Sequence, residues 1–446
     1  MFPCELIISG GIVGISIARL LQAICEVKSM REGSGSHSTD RSKDSVLLVE
    51  KNKYCGAETS SRSSEVLHAG LYYDIDSLKA RLCIQGKTLI EQYCTKNNVP
   101  FKKLGKLIVA QRGQEQDLDR IYENATLCHE RHADTIADSQ KLRMLSCRQA
   151  ESLEPNLRCT GSAIFSPGTG IVDTHALMET MLSEFDALGG EMVTNVEMVG
   201  GELSISKYAE DLERGYPQHR LDFRDISGEI TSMEFDLIIN AAGLSATRVS
   251  QSIANVDECM IPTTYFAKGN YFSLSGKPPF RHLIYPVPEP GGLGIHLTLD
   301  LAGQVRFGPD VEWIVDQSSP TVGGYNFNYN VCPDLALKFS KAIRQYYPSL
   351  AEESLQPSYS GIRPKLSPPP FSSSESNTKK LSDFQVDFLY HAGRPMDNFV
   401  CLYGIESPGI TSSMAIAELV CDKIAKTSIW FTCEDVDSAK EWLNSH

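Results

Sequence analysis

The sequence predicts an α/β fold with two parts, a dinucleotide-binding domain and a smaller domain built on an antiparallel sheet. Three observations predict it. A glycine-rich turn joins an apolar run to an amphipathic stretch at the start of the chain, and Val46–Lys51 forms a second apolar run that ends in an acid. Between Ile261 and Phe307, short alternating apolar runs are separated by Gly and Pro, a pattern typical of antiparallel strands.

The glycine turn opens the chain. Glu5–Ile8 is apolar enough for a buried strand, and Ile15–Cys25 has the pattern of a helix. This order predicts the βαβ unit of a Rossmann-like domain, in which the pyrophosphate of a dinucleotide lies at the helix N-terminus. The usual G-x-G-x-x-G motif would begin at position 9, where this chain has Ser9, a residue that adopts positive φ only with strain. An ordinary strand–helix turn is the alternative; the candidate cofactor-binding residues are Gly10, Gly11, Val13 and Gly14.

The second apolar run supports the nucleotide-binding interpretation. Glu50 at its end is suited to hold the ribose hydroxyls of an adenine nucleotide, and Lys51 follows it. Glu50 lies farther from the glycines than the usual spacing because of residues 28–44, which are rich in Ser, Gly and charge and have no apolar period. This stretch predicts a flexible surface insertion.

Composition limits the class of protein. With 446 residues the chain is long enough for two domains, and its net charge of −14 argues against binding nucleic acid. No apolar run approaches the ~18 residues of a membrane-spanning helix, and no signal or transit peptide is expected before the first strand. The 13 cysteines show no C-x-x-C pair, which predicts reduced thiols in a cytosolic or mitochondrial compartment. Cys128–His132 (CHERH) is interpreted as a solvated helix face, and no metal site is predicted.

A serine-rich loop follows the second strand. The stretch from Gly56 to Tyr73 is dense in small hydroxyl residues and contains Arg62, which suits a loop that wraps phosphates and a polar ribityl chain. A serine-rich surface loop is the alternative. An amphipathic helix is predicted after it, from Ser77 to about Asn97.

From this loop onward the chain resembles a known family. Thr59–Tyr73, continued by Ser77–Cys83, is similar to the L-2-hydroxyglutarate dehydrogenases, flavoproteins of the D-amino-acid-oxidase-like superfamily. The resemblance continues in the family's order through Lys103–Ala110, Gly168–Asp173, Gly361–Lys365 and Gly404–Ser412. It implies FAD as cofactor and oxidation of L-2-hydroxyglutarate to 2-oxoglutarate by hydride transfer from Cα. It also implies further cofactor-binding residues, namely Thr59, Ser60, Ser61, Arg62, Ser64, His68, Met198, Ala242, Gly243, Gly361, Arg363, Ser407, Pro408, Gly409, Ile410 and Thr411.

The implied reaction needs a base and a site for two carboxylates. Histidine is the residue best suited to take the hydroxyl proton near neutral pH, and His68 and His296 are the two candidates. Arg363 is the best candidate to bind a carboxylate, because a guanidinium grips it bidentately. Lys268 and Arg306 are weaker candidates for the distal carboxylate, and Tyr285 is expected to assist. For each of these residues a structural or exposed position is the alternative.

The resemblance and the element pattern together predict a discontinuous domain organisation. The FAD-binding domain is expected to comprise residues 1–98, 155–255 and 357–446, and the substrate domain residues 99–154 and 256–356. Residues 28–44 and 367–380 are expected to be flexible loops. Within the first domain, Asp173 is expected to cap a helix running to Leu188, and Glu191–Met198 to form a strand.

Other functions stay open at this stage. One alternative is a sister flavoprotein that oxidises another 2-hydroxy acid, an amine or a glycerol phosphate, and another is a flavin-binding protein without turnover. The expected partners are a small dicarboxylate and an electron acceptor, either a quinone or an electron-transfer protein, with peripheral membrane association left open and no nucleic acid. Eukaryotic members of the family are mitochondrial; without a transit peptide, a cytosolic location stays open.

Overall fold

The computed structural model describes residues 5–32, 45–133, 137–203, 219–288, 294–315, 320–321, 324–369, 383–427 and 430–445. In these ranges the α-helices are α1 (Ile12–Glu32), α2 (Leu78–Asn97), α3 (Glu115–His132), α4 (Cys147–Leu153), α5 (Thr174–Ala187), α6 (Ala246–Gln251), α7 (Ala336–Ile343), α8 (Gly409–Thr427) and α9 (Cys433–Ser445). None of the described helices is long and apolar enough to cross a membrane.

The strands are short and numerous. They are β1 (Glu5–Ile8), β2 (Val46–Glu50), β3 (Val66–Leu67), β4 (Phe101–Lys103), β5 (Lys106–Val109), β6 (Arg143–Ser146), β7 (Ser162–Ser166), β8 (Gly170–Val172), β9 (Glu191–Thr194), β10 (Glu197–Glu202), β11 (His219–Arg224), β12 (Ile230–Phe235), β13 (Leu237–Asn240), β14 (Ile253–Ala254), β15 (Tyr265–Leu274), β16 (Leu283–Pro286), β17 (Leu297–Leu299), β18 (Val305–Phe307), β19 (Glu312–Ile314), β20 (Pro320–Thr321), β21 (Gly324–Tyr325), β22 (Leu355–Lys365), β23 (Gln385–His391) and β24 (Arg394–Tyr403).

The first of the two large sheets is the predicted nucleotide-binding sheet. Its order is β23-β24-β13-β1-β2-β9, and every pairing except β23–β24 is parallel. β1, β2 and β13 are buried along their whole length. Helices α1, α5 and α8 pack with one face of this sheet into one apolar core. The carboxyl ends of the parallel strands therefore form one edge, where α/β proteins bind their ligands.

The second large sheet is the predicted antiparallel one. Its order is β19-β15-β18-β17-β16-β5-β7-β6, with β22 also paired to β15, and of its pairings only β5–β16 is parallel. β7 and β22 also pair in this sheet. The predicted boundaries had placed β7 wholly, and β22 mostly, in the cofactor domain. A smaller sheet of order β12-β11-β10-β14 packs on the opposite face of the nucleotide-binding sheet.

Local capping signals were reliable. Asp173 accepts a hydrogen bond from the backbone N–H of Ala176 at the start of α5, and Gly189 follows its end with positive φ, as predicted. Ser77 caps α2 by accepting from the N–H of Ala80. These caps depend on residues within one turn of the helix, which is why sequence reveals them.

The prediction for the insertion was partly wrong. α1 continues to Glu32, so the first residues of the expected loop are helical, and residues 33–44 lie outside the described part. The extra turn is held by contacts with the end of the chain: the Lys28 ammonium donates to the carbonyl of Trp430, and Arg31 pairs with Asp435. Of the expected loop at 367–380, residues 370–380 lie outside the described part of the chain.

Two other local predictions were wrong. The expected strand Glu191–Met198 is two strands in different sheets, because Asn195 turns the chain with φ 59°. The expected solvated face at Cys128–His132 packs inward at Cys128, while ring nitrogens of His129 and His132 bond the carbonyls of Ala69 and Ile75. Among the described residues there is no cluster of three or more groups suited to hold a metal ion.

Candidate functional site

A large cavity lies where the carboxyl ends of β1, β2 and β13 meet the antiparallel sheet. It is lined by residues of both large sheets and of the loops between their strands. Its walls include the glycine turn, the serine-rich loop, the middle of β22 and the turn before α8. The cavity therefore joins the two sheets that the sequence assigned to cofactor and substrate.

Most sequence-derived candidates line this cavity. They are Gly11, Val13, Glu50, Thr59, Ser60, Arg62, Ser64, His68, Ala242, Gly243, Tyr285, His296, Gly361, Arg363, Ser407, Pro408, Gly409, Ile410 and Thr411. The candidates outside its lining are Gly10, Gly14, Lys51, Ser61, Met198, Lys268 and Arg306. The fold therefore brings most of the candidate residues into one cavity, and the role of each residue stays a prediction.

The glycine turn is tightly packed. A methyl group added to Gly14 would lie 2.3 Å from the carbonyl oxygen of Ser9, so the close approach of α1 to β1 requires glycine there. At Gly10 the added carbon would lie 2.6 Å from the Cys55 sulfur and 2.9 Å from Glu50 Oε2. The Ser60 hydroxyl accepts a hydrogen bond of 3.1 Å from the N–H of Ile12 at the start of α1.

Ser9 occupies the position of the missing first glycine with φ 153°. This region favours glycine, and the Ser9 Oγ atom accepts a hydrogen bond of 3.0 Å from the N–H of Gly11. The Ser9 hydroxyl therefore stabilises the turn, whereas the Ser9 backbone conformation strains it.

We expect Ser9→Gly to raise the free energy of unfolding by about 0.5–1 kcal/mol, because relief of backbone strain exceeds the loss of one local hydrogen bond. Denaturant unfolding of the apoprotein measures it. Ser9→Ala is the matched control, since it removes the hydroxyl and keeps the strained backbone, and it should destabilise. Equal destabilisation by both variants would contradict the strain argument.

Glu50 closes the nucleotide edge of the cavity. Its Oε2 accepts from the N–H of Gly10 at 2.7 Å, and its Oε1 accepts from the N–H and side-chain amide of Asn52 at 2.8 and 2.7 Å. Burial raises the pKa of this carboxyl, and the hydrogen bonds from Asn52 and Gly10 oppose the rise. The next residue, Lys51, is engaged outside the cavity lining with Glu58 and Ser245.

The serine-rich loop is fastened to β22. The Arg62 guanidinium lies 4.0 Å from the centroid of the Tyr329 ring and donates to the carbonyl of Ser360. A methyl group added to Gly361 would lie 2.3 Å from the carbonyl oxygen of Arg62. Thr59 donates to the carbonyl of Ile362. The loop and the strand thus form one wall of the cavity.

Among the described residues, one hydrogen bond fixes the Arg363 side chain at that wall. Its Nη2 atom donates to the carbonyl of Asp310 at 2.8 Å and lies against Gly269, where an added carbon would be 2.7 Å away. A guanidinium carries five N–H donors in a planar fork. Arg363 therefore retains donors for an anion in the cavity.

The two candidate bases lie in different settings. His68 donates its backbone N–H to Thr411, and its Nε2 lies 3.3 Å from the Ser407 hydroxyl. Burial, with a contribution from the nearby Lys106, lowers the pKa of His68 to about 3, so its imidazole is neutral at physiological pH. His296 stacks on Tyr285, with ring centroids 3.5 Å apart.

A buried ionic cluster beside the cavity was not found from sequence. Glu406, which lines the cavity, pairs with Lys79 at 3.0 Å and with Lys365 at 2.6 Å. Burial alone would raise the pKa of this carboxyl, but the two ammonium groups outweigh burial and lower it to about 2. The cluster fixes the start of the Ser407–Gly409 turn. Its members are far apart in the chain, so no local pattern predicts their pairing. The one available signal was that each lies in a segment that resembles the family.

Replacing Glu406 by Gln should lower the free energy of unfolding by about 3–5 kcal/mol, because it leaves two buried cations without their anion. In the wild type, the stability from Glu406 is fully present above pH 4.5, the ordinary pKa, and is lost as pH falls toward 2. Denaturant unfolding between these pH values measures both effects. A variant whose stability follows the same acid profile as the wild type would contradict this role.

Three further candidates are placed elsewhere. Met198 is buried in the core between the small sheet and the nucleotide-binding sheet. The Lys268 ammonium donates to the carbonyl of Asn330 at 2.6 Å, and Arg306 contacts Glu65 and Asp300 at 3.5 and 3.4 Å.

Comparison with known proteins identifies the family. The model of the FAD dependent oxidoreductase (DAO) family matches residues 6–423. The mitochondrial L-2-hydroxyglutarate dehydrogenase of Arabidopsis thaliana is 36% identical over 441 residues, covering 94% of this chain and 83% of that protein. The chain belongs to the L-2-hydroxyglutarate dehydrogenases of the FAD dependent oxidoreductase family.

Members of this family occur in other organisms. The L-2-hydroxyglutarate dehydrogenase of Salmonella houtenae is 27% identical over 447 residues, covering 94% of this chain and 92% of that protein. Among solved structures, L-alpha-glycerophosphate oxidase from Mycoplasma pneumoniae with FAD bound matches with a TM-score of 0.74 and 22% identity, covering 95% of each chain. Glycine oxidase from Geobacillus kaustophilus matches with a TM-score of 0.66 and 17% identity, covering 96% of each chain. These structures show the same fold.

FAD is the cofactor of this family, and the residues of this chain fit it. The glycine turn leaves no room for side-chain carbons, so backbone can approach a pyrophosphate at the N-terminus of α1. Glu50 supplies carboxylate oxygens at one end of the cavity, and the start of α8 supplies a helix N-terminus at another. The glycine turn, the serine-rich loop and the Ser407–Gly409 turn would hold the cofactor.

Proposed function

We propose that this protein oxidises L-2-hydroxyglutarate to 2-oxoglutarate with FAD. The observation that carries the proposal is that this chain, a member of the family, has one cavity lined by both of its large sheets. It begins at the nucleotide-binding edge and reaches Arg363, His68 and His296. A cofactor and an organic acid can therefore bind next to each other in this cavity.

The chain's own residues have three tasks in this reaction. When bound, FAD supplies the acceptor for the hydride that leaves Cα. Arg363 binds and orients the carboxylate next to the reacting carbon, since it lines the cavity and has donors besides the one bonded to Asp310. The hydroxyl proton passes to an imidazole, either His68, which is neutral near pH 7, or His296. The antiparallel sheet and the serine-rich loop enclose the site and exclude water.

The choice of base has a direct test. Because the pKa of His68 is about 3, His68 would hold the proton only briefly and pass it on. The His296 ring is held in position by its stack on Tyr285. His68→Asn and His296→Asn should be compared by the rate of flavin reduction across pH. The base is the residue whose replacement removes the acidic limb of the profile as well as lowering the rate.

Anaerobic mixing of the holoenzyme with candidate substrates tests the function. We expect L-2-hydroxyglutarate to bleach the flavin absorbance near ~450 nm. D-2-hydroxyglutarate, L-lactate and glycerol 3-phosphate serve as comparisons. Bleaching by glycerol 3-phosphate alone would favour the sister-enzyme alternative. A flavin that no substrate reduces would favour a binding protein without turnover.

We further propose a quinone or an electron-transfer protein as electron acceptor and a mitochondrial location, with peripheral membrane association as the way to reach a membrane quinone. Support comes from eukaryotic relatives named as mitochondrial dehydrogenases. Reoxidation of the reduced enzyme by a soluble quinone should be much faster than by dissolved oxygen. Equal rates with both would contradict this acceptor class.

A further inference from the structure

Lys106 is a buried cation that the reaction described above does not use. It is the first residue of β5, and its side chain is 1% exposed. Its ammonium lies 4.5 Å from the centroid of the Tyr285 ring and 4.9 Å from that of Tyr72. Within the described parts of the chain, no carboxylate forms a salt bridge with it. The aromatic faces attract the cation but do not neutralise it.

This cation lies directly behind the cavity wall. Tyr285 and His296 both line the cavity, and the Tyr285 ring is in contact with the His296 ring and with Lys106. The charge of Lys106 also reaches His68, where it helps to lower the pKa of the imidazole. The Tyr72 hydroxyl beside it is buried and has no hydrogen-bond partner among the described residues. This corner therefore carries a positive charge and an unpartnered hydroxyl.

The two cations predicted for the distal carboxylate, and the buried Lys365, are already engaged. Arg306 contacts two carboxylates, Lys268 donates to a backbone carbonyl, and Lys365 pairs with Glu406. A buried ammonium without an anionic partner is unfavourable, so an anion that binds nearby stabilises its charged form. In low dielectric, its field extends farther than that of an exposed lysine.

We infer that Lys106 selects a dicarboxylic substrate, by placing a positive potential behind the Tyr285 side of the cavity wall, which the distal carboxylate faces. The identity of the dicarboxylate rests on the proposed function. Lys106 is a specificity-determining residue that acts through the wall, whereas Arg363 binds the carboxylate next to the reacting carbon.

The inference carries a pH dependence with a defined sign. Burial lowers the pKa of Lys106 to about 7, and a small opposing effect comes from Cys83. Among the described residues, the ionisable groups that contact it or interact with its charge include Tyr72, Tyr285, Cys83 and His68. Burial raises the pKa of the first three and lowers that of His68. These four keep one protonation state near neutral pH. A dicarboxylate binds the protonated amine, so affinity falls above pH 7, by up to about tenfold per unit, and binding takes up a proton.

Calorimetric titration of the oxidised holoenzyme tests the inference. The probes are 2-oxoglutarate and 2-oxovalerate, which has the same chain length without the distal carboxylate. At about pH 8, in two buffers of different ionisation enthalpy, wild type should take up a proton with 2-oxoglutarate and none with 2-oxovalerate. Lys106→Met should weaken 2-oxoglutarate by about tenfold or more, abolish the proton uptake and leave 2-oxovalerate unchanged. Lys102→Met removes an exposed lysine of the preceding strand and should change neither ligand.

Several results would overturn it. Equal weakening of both ligands by Lys106→Met would indicate a structural role, and loss of dicarboxylate preference in Arg306→Leu in place of Lys106→Met would assign the subsite to Arg306. Absence of proton uptake in wild type overturns the inference without any variant. Proton-linked binding of 2-oxoglutarate in an enzyme that L-2-hydroxyglutarate does not reduce would sink the proposed function and leave this inference standing.

Discussion

Arg363→Met is expected to lower kcat/KM for L-2-hydroxyglutarate on the order of 10²-fold or more. A truncated charge partner in a desolvated site typically costs about 2–5 kcal/mol, and each 1.36 kcal/mol is a tenfold change in rate. Arg363 lines the cavity with one N–H bonded to Asp310 and its remaining donors available. Single-turnover flavin reduction measures the loss.

The control for this variant is Arg120→Met. Arg120 lies on the surface of α3 and, in the described part of the chain, pairs with the exposed Asp117. Its removal should therefore change stability by less than about 0.5 kcal/mol and leave the rate unchanged. Arg363→Met with near wild-type kinetics would show that the substrate carboxylate binds elsewhere in the cavity.

Gly14→Ala is expected to prevent FAD binding and to lower the free energy of unfolding by roughly 3 kcal/mol, because the added methyl group meets backbone. At 2.3 Å from the Ser9 carbonyl oxygen it forces α1 away from β1 and opens the turn. The purified variant should be colourless, and its unfolding midpoint should fall.

Gly200→Ala is the matched control. An added carbon there lies 3.6 Å from the nearest atom, the carbonyl oxygen of Ser252, so ordinary contact results. This variant should remain yellow and as stable as the wild type. A yellow Gly14→Ala protein of normal stability would contradict the tight packing of the glycine turn.

Sequence predicted the features that depend on neighbouring residues. The glycine turn, the Asp173 cap and the first two buried strands follow from short patterns, since burial, capping and turn geometry act over a few residues. Family resemblance then placed the serine-rich loop and the Ser407–Gly409 turn beside the same cavity.

Features that depend on distant partners escaped the sequence. α1 extends to Glu32 because Lys28 and Arg31 meet the C-terminal segment, which local composition cannot show. Glu406 is paired with two lysines, Lys79 and Lys365, that are distant from it in the sequence. Lys106 stands at the start of an apolar run, and only the fold places it between two tyrosine rings behind the cavity.

Single-turnover oxidation of Cα-deuterated L-2-hydroxyglutarate tests the central claim most directly. If hydride leaves Cα in the shared cavity, anaerobic bleaching of the flavin should be severalfold slower than with the unlabelled acid. One equivalent of 2-oxoglutarate should form for each flavin reduced. Bleaching without 2-oxoglutarate, or no bleaching at all, would contradict the account.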